Sequence, residues 1–222
     1  MMVRSEGLRG VAGLYGLTPE WDDTDRLLTA VGRAVCGGMQ ALQLRRKLAT
    51  PVVLAAQARA LRDACTEHGI AFIVNDDWKL ALDCGADGVH LGREDADEQT
   101  VRRLAGEGLQ VGVSCYDELE RVRAALDAGA SSVGLGAVYV SATKPDAVRV
   151  PLATIRQARR LCEAARADGL RASVVAIGGI TPTNAAPVAA AGADALALIT
   201  GLFEAPDIEA AARAVVNAMA PR

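Results

Sequence analysis

Two spacings of apolar residues alternate along this chain. Short, almost wholly apolar runs are separated by longer stretches with apolar residues at every third or fourth position, the pattern of buried parallel strands between amphipathic helices. One joint between the two recurs four times: Gly38-Met39-Gln40-Ala41-Leu42-Gln43-Leu44, Gly85-Ala86-Asp87-Gly88-Val89-His90-Leu91, Gly129-Ala130-Ser131-Ser132-Val133-Gly134-Leu135 and Gly192-Ala193-Asp194-Ala195-Leu196-Ala197-Leu198. Upstream, Ala81-Leu82-Asp83-Cys84 and Ala125-Leu126-Asp127-Ala128 are near copies. A glycine at this place offers the left-handed backbone that ends a helix, and the alternation after it reads as a strand.

The joints lie 47, 44 and 63 residues apart. A strand-plus-helix unit takes about 20 to 30 residues, so each interval holds two units, the last with an enlarged loop. The intervening strands read as Gly13 to Thr18, Ala71 to Asn75, Gln110 to Ser114 and Ser173 to Ile177. Helices are expected near Thr24 to Cys36, from Thr50-Pro51 to Gly69, and near Trp78 to Cys84, Glu98 to Gly106, Asp117 to Ala128, Leu152 to Asp168 and Ile208 to Ala218. Another is expected from Thr181-Pro182 to Gly192, opened like the second by an N-cap threonine and a first-turn proline. Eight alternating pairs predict an α/β chain forming a (β/α)8 TIM barrel, a single domain over 1–222 with a loosely ordered extension at 1–10. An open doubly wound sheet is disfavoured, because no G-x-G-x-x-G follows the first strand.

Composition narrows the function classes. The 24 basic and 27 acidic residues leave a net charge of −3 and are scattered, which argues against a nucleic-acid partner. No apolar run approaches a membrane span, and Met1 to Gly10 has no secretory core, so a soluble cytoplasmic protein is expected. The five cysteines, Cys36, Cys65, Cys84, Cys115 and Cys162, lack paired spacing and read mostly as small core residues. Cys115, beside Ser114, is the one to watch, although no histidine has an evident claim to be its partner. A homo-oligomer is compatible with the sequence.

In such a barrel the chemistry sits on the loops that follow the strands. Those loops carry Gln43, Arg45, Arg46 and Lys47; Asn75, Asp76 and Asp77; Gly92, Arg93, Glu94 and Asp95; Ser114; Ser141, Thr143 and Lys144; Gly178 and Gly179; and Thr200 and Gly201. Asp76 and Asp95 offer hard carboxylate oxygens suited to Mg²⁺ shared with substrate phosphates. Arg45, Lys47 and Lys144 supply fixed charge for a polyanion such as pyrophosphate. The glycine turns of the last two strands suit a phosphate bound by backbone N–H groups. Asp77 reads equally as a helix cap, Arg46 as a solvated surface charge, and His90 as a packed core residue.

These residues also carry a family resemblance. Leu42-Gln43-Leu44-Arg45-Arg46-Lys47, Ile73-Val74-Asn75-Asp76-Asp77, Val89-His90-Leu91-Gly92 with Asp95, Gly112-Val113-Ser114, Ser141-Ala142-Thr143-Lys144 and Ala176-Ile177-Gly178-Gly179-Ile180-Thr181 together resemble thiamine phosphate synthases, in the family's order, from about Tyr15 to Phe203. The resemblance implies that a hydroxymethylpyrimidine diphosphate is joined to a thiazole phosphate, releasing pyrophosphate. It implies Asp76 and Asp95 as Mg²⁺ ligands, and Arg45, Lys47, Asn75 and Lys144 around the pyrophosphate. Gln43 and Ser114 would lie near the pyrimidine and its leaving group, and Ser141, Thr143, Gly178, Gly179, Ile199 and Thr200 near the thiazole phosphate. Arg45, Lys47, Ser114 and Lys144 would be the catalytic set. The chain departs from the family's usual residues at Arg46, Tyr116, Val140 and Ser141. The alternatives are a thiazole tautomerase-like isomerase and a non-catalytic barrel that binds phosphorylated ligands.

Overall fold

The computed structural model describes residues 11–140 and 148–220. Eight parallel strands close into a barrel in chain order: β1 (Gly13–Leu17), β2 (Met39–Leu44), β3 (Ala71–Asn75), β4 (Gly88–Leu91), β5 (Gln110–Ser114), β6 (Ser132–Leu135), β7 (Ser173–Ile177) and β8 (Ala195–Leu198). The helices between and after them are α1 (Thr24–Cys36), α2 (Pro51–His68), α3 (Trp78–Asp83), α4 (Glu98–Gly106), α5 (Leu119–Asp127), α6 (Leu152–Ala167), α7 (Ala185–Ala190), α8 (Thr200–Phe203) and α9 (Ile208–Met219). The expected (β/α)8 architecture is therefore present. No helix among the described residues is long and apolar enough to cross a membrane.

The recurring joint has a structural meaning at both of its ends. Gly38, Gly85, Gly129 and Gly192 all have φ between 68° and 100°, so each ends its helix in the left-handed region. Two residues on, the N–H of Asp87, Ser131 and Asp194 donates to Phe72, Val111 and Val174 on the preceding strand. In two copies the carboxylate adds a second clasp. Asp87 accepts from the Phe72 N–H at 2.8 Å and pairs with Arg62 of α2, while Asp194 accepts from the Val174 N–H at 2.8 Å and pairs with Arg159 and Arg166 of α6. These clasps tie helix to strand at the N-terminal end of the barrel, away from the strand ends that bear the candidate site.

Alternation sorts the strand residues into two cores. Large branched residues face outward against the helices, among them Leu42, Phe72, Val89, Val113, Leu135 and Leu196. Burying each such side chain contributes about 1.5 to 3 kcal/mol. The inner core is smaller and built from Tyr15, Leu17, Ala41, Ile73, Val175 and Ala197. On β5 and β6 the inward positions Gly112 and Gly134 have no side chain, and the His90 imidazole fills that space: a β-carbon at 112 would lie 2.6 Å from Nδ1, and one at 134 would lie 3.1 Å from Cε1.

Helix starts follow local capping. Asp23, Thr50, Asp77, Asp97 and Asp207 each accept a hydrogen bond from the first turn of the helix they precede. Two expectations need correction. The helix expected from Thr181-Pro182 begins only at Ala185, because Asn184 accepts from the Thr181 N–H and donates to the Gly179 carbonyl, holding the intervening residues as a turn. The four-residue α8 after β8 is an element that the sequence pattern did not reveal. The N-terminal extension 1–10 and the loop residues 141–147, which include Ser141, Thr143 and Lys144, lie outside the described residues.

Candidate active site

The C-terminal ends of the strands open into a cavity of about 800 Å³. Gln43, Arg45, Lys47, Asn75, Asp76, Asp95, Ser114, Gly178, Gly179, Ile199 and Thr200 all line it. Every expected site residue within the described chain is thus brought to one chamber. Ser141, Thr143 and Lys144 lie outside the described residues.

Asp76 is the most constrained of these residues. It follows β3 directly with φ 60°, a left-handed conformation unusual outside glycine. Its carboxylate accepts from the Asn75 amide at 2.6 Å and from the Gly92 N–H at 3.2 Å, and Lys47 Nζ lies 3.9 Å away. Asp95 reaches the same place from the loop after β4: a β-carbon on Gly92 would lie 3.1 Å from Asp95 Oδ2 and 3.4 Å from Asp76 Oδ1. The two oxygens can be no farther apart than the sum of those distances. Asp77 faces away and caps α3 through the Leu80 N–H.

On the neighbouring strand β2, Gln43 is buried and donates to the Tyr15 hydroxyl at 2.8 Å. Burial pushes the Tyr15 pKa up, so the phenol stays protonated. Ser114 ends β5 within 2.9 Å of His90 Nε2. Burial lowers the His90 pKa to about 4, so its imidazole is neutral at physiological pH. Cys115 is buried behind the sheet and its thiol is pushed up to about 12, which makes it a packing residue rather than a nucleophile.

The glycine turn after β7 is required by close approach as well as by backbone angle. Gly178 and Gly179 have φ of 105° and 60°, and a β-carbon on Gly178 would sit 2.5 Å from the Ala137 α-carbon. Tyr139 N–H donates to the Gly178 carbonyl, so the loops after β6 and β7 are fastened together. The N–H groups opening α8 at Thr200 and Gly201 stand beside this turn, at the same side of the cavity, and first-turn N–H groups have no partner within their own helix.

Arg46 corrects the sequence reading. Its side chain is 1% exposed and holds Asp22 at 2.6 Å, Glu20 at 3.3 Å, Gln57 at 2.5 Å and the Trp21 carbonyl. It is a buried structural charge between the loop after β1 and α2, because three oxygen-bearing side chains and a carbonyl replace its water. Sequence reasoning also passed over Tyr15, Thr18 and Glu20, whose partners are 26 to 28 residues away and leave no local pattern.

Comparison with known proteins follows the same lines. A family model described as "Thiamine monophosphate synthase" matches residues 14–202. The chain belongs to the thiamine monophosphate synthase family. Within this family, a "Thiamine-phosphate synthase" of Bordetella pertussis is 63% identical over 211 residues, 95% of this chain and 96% of the relative. One from Chromobacterium violaceum is 48% identical over 207 residues, covering 93% and 96%. The solved structure of a "Thiamine phosphate pyrophosphorylase" from Pyrococcus furiosus superposes with a TM-score of 0.79 at 30% identity, covering 96% of this chain and 98% of that one. A 3-hexulose-6-phosphate synthase from Salmonella typhimurium, at 20% identity and a TM-score of 0.69, shares the fold alone with the family member described here.

Proposed function

We infer that this chain is a thiamine-phosphate synthase, a transferase that joins a hydroxymethylpyrimidine diphosphate to a thiazole phosphate. The observation that carries the reading is the convergence of an acidic pair, a cation and a buried amide on one chamber, in a chain 63% identical to a thiamine-phosphate synthase over nearly its whole length.

The chemistry fits what these residues can do. Breaking a pyrimidinylmethyl–diphosphate bond requires stabilising a departing polyanion, and Arg45 and Lys47 supply fixed positive charge to it, helped by the Asn75 amide, with Lys144 assigned as a third cation. The substituted methylene cation is captured by the thiazole nitrogen held next to it, which needs proximity rather than a protein base. A neutral His90 agrees with that: its place is to hydrogen-bond Ser114, whose hydroxyl we assign to the leaving group and the pyrimidine. Gln43, fixed by Tyr15, orients the pyrimidine ring. Gly178, Gly179, Ile199 and Thr200, with Ser141 and Thr143, hold the thiazole phosphate at backbone N–H and hydroxyl groups.

Asp76 and Asp95 fit Mg²⁺. Their oxygens converge on Gly92, where the missing side chain leaves room, and hard carboxylates are the ligands this ion takes. Among the described residues no group of three or more His, Cys, Asp or Glu side chains could hold an ion by themselves, so a two-carboxylate site completed by substrate phosphates is the arrangement the donor set supports. When bound, the ion would supply Lewis-acid neutralisation of the diphosphate.

The test is a coupled assay with both substrates and Mg²⁺, reading pyrophosphate release and product mass. Stoichiometric pyrophosphate with a product carrying the new carbon–nitrogen bond is expected. Binding of both substrates without pyrophosphate release would leave a phosphate-binding barrel instead, and isomerisation of a thiazole phosphate carboxylate would leave a tautomerase.

A further inference from the structure

Arg45 and Lys47, on the loop after β2, are held by two separate clips from the loop after β1. Thr18 Oγ1 accepts from the Arg45 N–H at 2.9 Å and donates to the Arg45 carbonyl at 3.2 Å, fixing that residue at both backbone groups. Two residues on, Glu20 takes over. Its Oε1 accepts from the Lys47 N–H at 2.9 Å, and its Oε2 accepts from the Leu48 N–H and from Arg46 Nε, both at 3.3 Å. The Arg46 guanidinium is in turn pinned by Asp22, Gln57 and the Trp21 carbonyl in a pocket closed to water. A carboxylate that binds two consecutive backbone N–H groups sets the direction of the chain there, and the Nε–H of a buried arginine, donated to the same carboxylate, restrains its freedom to swing. Lys47 itself is more than half exposed, and among the described residues its ammonium is paired with the Asp76 carboxylate at 3.9 Å.

We propose that Glu20, locked by the buried Arg46, is the positioning residue for Lys47: it fixes the backbone from which the ammonium reaches the Asp76 edge of the chamber. Glu20 touches no substrate in this scheme. The proposal rests on the role assigned above to Lys47 at the departing diphosphate. It also gives the unusual residue at 46 a function, since an arginine there is what holds Glu20 in place in this chain.

The experiment is a double-mutant cycle on the full chain, with E20Q, K47A and R45A singly and in pairs. Calorimetric binding of inorganic pyrophosphate with Mg²⁺ is measured beside steady-state kinetics. Glu20 is partly exposed and glutamine is isosteric, so the variant keeps the fold, with thermal melting as the check. E20Q is expected to weaken pyrophosphate binding and raise the KM for the pyrimidine diphosphate about tenfold, the scale of a modest misplacement of a binding group. The KM for the thiazole phosphate should stay unchanged. In the K47A background E20Q should add almost nothing, whereas with R45A, which Thr18 holds independently, the losses should multiply. Equal changes in both KM values, or losses that multiply with K47A, would overturn the proposal. If K47A binds pyrophosphate as well as the wild-type chain, the role of Lys47 fails instead. Hydrogen exchange of the Lys47 and Leu48 amides, which needs no ligand, then still decides the clip: faster exchange in E20Q supports it, and unchanged exchange overturns it.

Discussion

Asp76 and Asp95, on consecutive strand-end loops, direct carboxylate oxygens at the place a β-carbon on Gly92 would occupy. That geometry makes Gly92 part of the same acidic edge. A methyl group in G92A would press on both oxygens, and the Gly92 N–H that supports Asp76 would shift with it. We expect G92A to require about tenfold more Mg²⁺ for half-maximal rate, and D76N to lose about a hundredfold or more in kcat, the scale set by losing one preorganised electrostatic group. A magnesium titration of the coupled assay checks both; a G92A curve that overlays the wild type would count against convergence on a shared ion.

Tyr15 and Gln43 make a second coupled pair. Y15F removes the acceptor of a buried amide, which costs about 1 to 3 kcal/mol at that site. The expected outcome is a severalfold higher KM for the pyrimidine diphosphate with the fold retained. A kinetic comparison in which only the thiazole phosphate KM moves would contradict the assignment of Gln43 to the pyrimidine.

His90 predicts a pH dependence of stability. Its folded pKa of about 4 lies below the value of about 6.5 for an unfolded chain, so between those pH values the unfolded state binds the extra proton. Stability from this residue is therefore fully present above about pH 6.5 and is lost as pH falls toward 4. The ring also faces the cavity, so we expect a loss of about 2 kcal/mol rather than the full difference between the two pKa values. Urea midpoints from pH 7 to 4 for the wild type and H90Q measure it; the variant should show a flatter decline.

Asp194 separates stability from activity. It anchors Arg159, Arg166 and the Val174 N–H at the end of the barrel remote from the chamber. D194A removes the acceptor of the Val174 N–H and one partner from each of Arg159 and Arg166, which keep Glu163 and the Ala172 carbonyl, so a loss of about 1 to 3 kcal/mol is expected, equivalent to roughly 2 to 12 °C in Tm for a chain of this size. With the melting point lowered, kcat/KM measured at 20 °C should remain that of the wild type.

Most of the barrel could be read from the chain because its grammar is local. A left-handed glycine followed by period-two apolar residues announces each second strand, and Asp77 or Thr50 beside a first-turn donor announces a helix start. The residues missed obey no such grammar. Arg46 resembles its solvated neighbours in sequence, and only the fold brings Glu20 and Asp22 against it. The helix α8 is one turn long, too short for a 3.6-residue period to register, and the start of α7 is displaced by an asparagine bonding backward to the Gly178-Gly179 turn. Strand-end chemistry was legible because the fold forces it to one face. The partners that hold it in place were not, since hydrogen bonds across two loops leave no periodic trace.

The imidazole seated in the hollow left by two glycines also constrains how this chain can change over time. Positions 90, 112 and 134 are coupled: a side chain at 112 would displace the ring, one at 134 would press on it, and a smaller residue at 90 would leave a void beneath the cavity. Divergent members of the family should therefore vary at these three places in concert or scarcely at all, and a drift in ligand preference would begin there rather than at the charged rim.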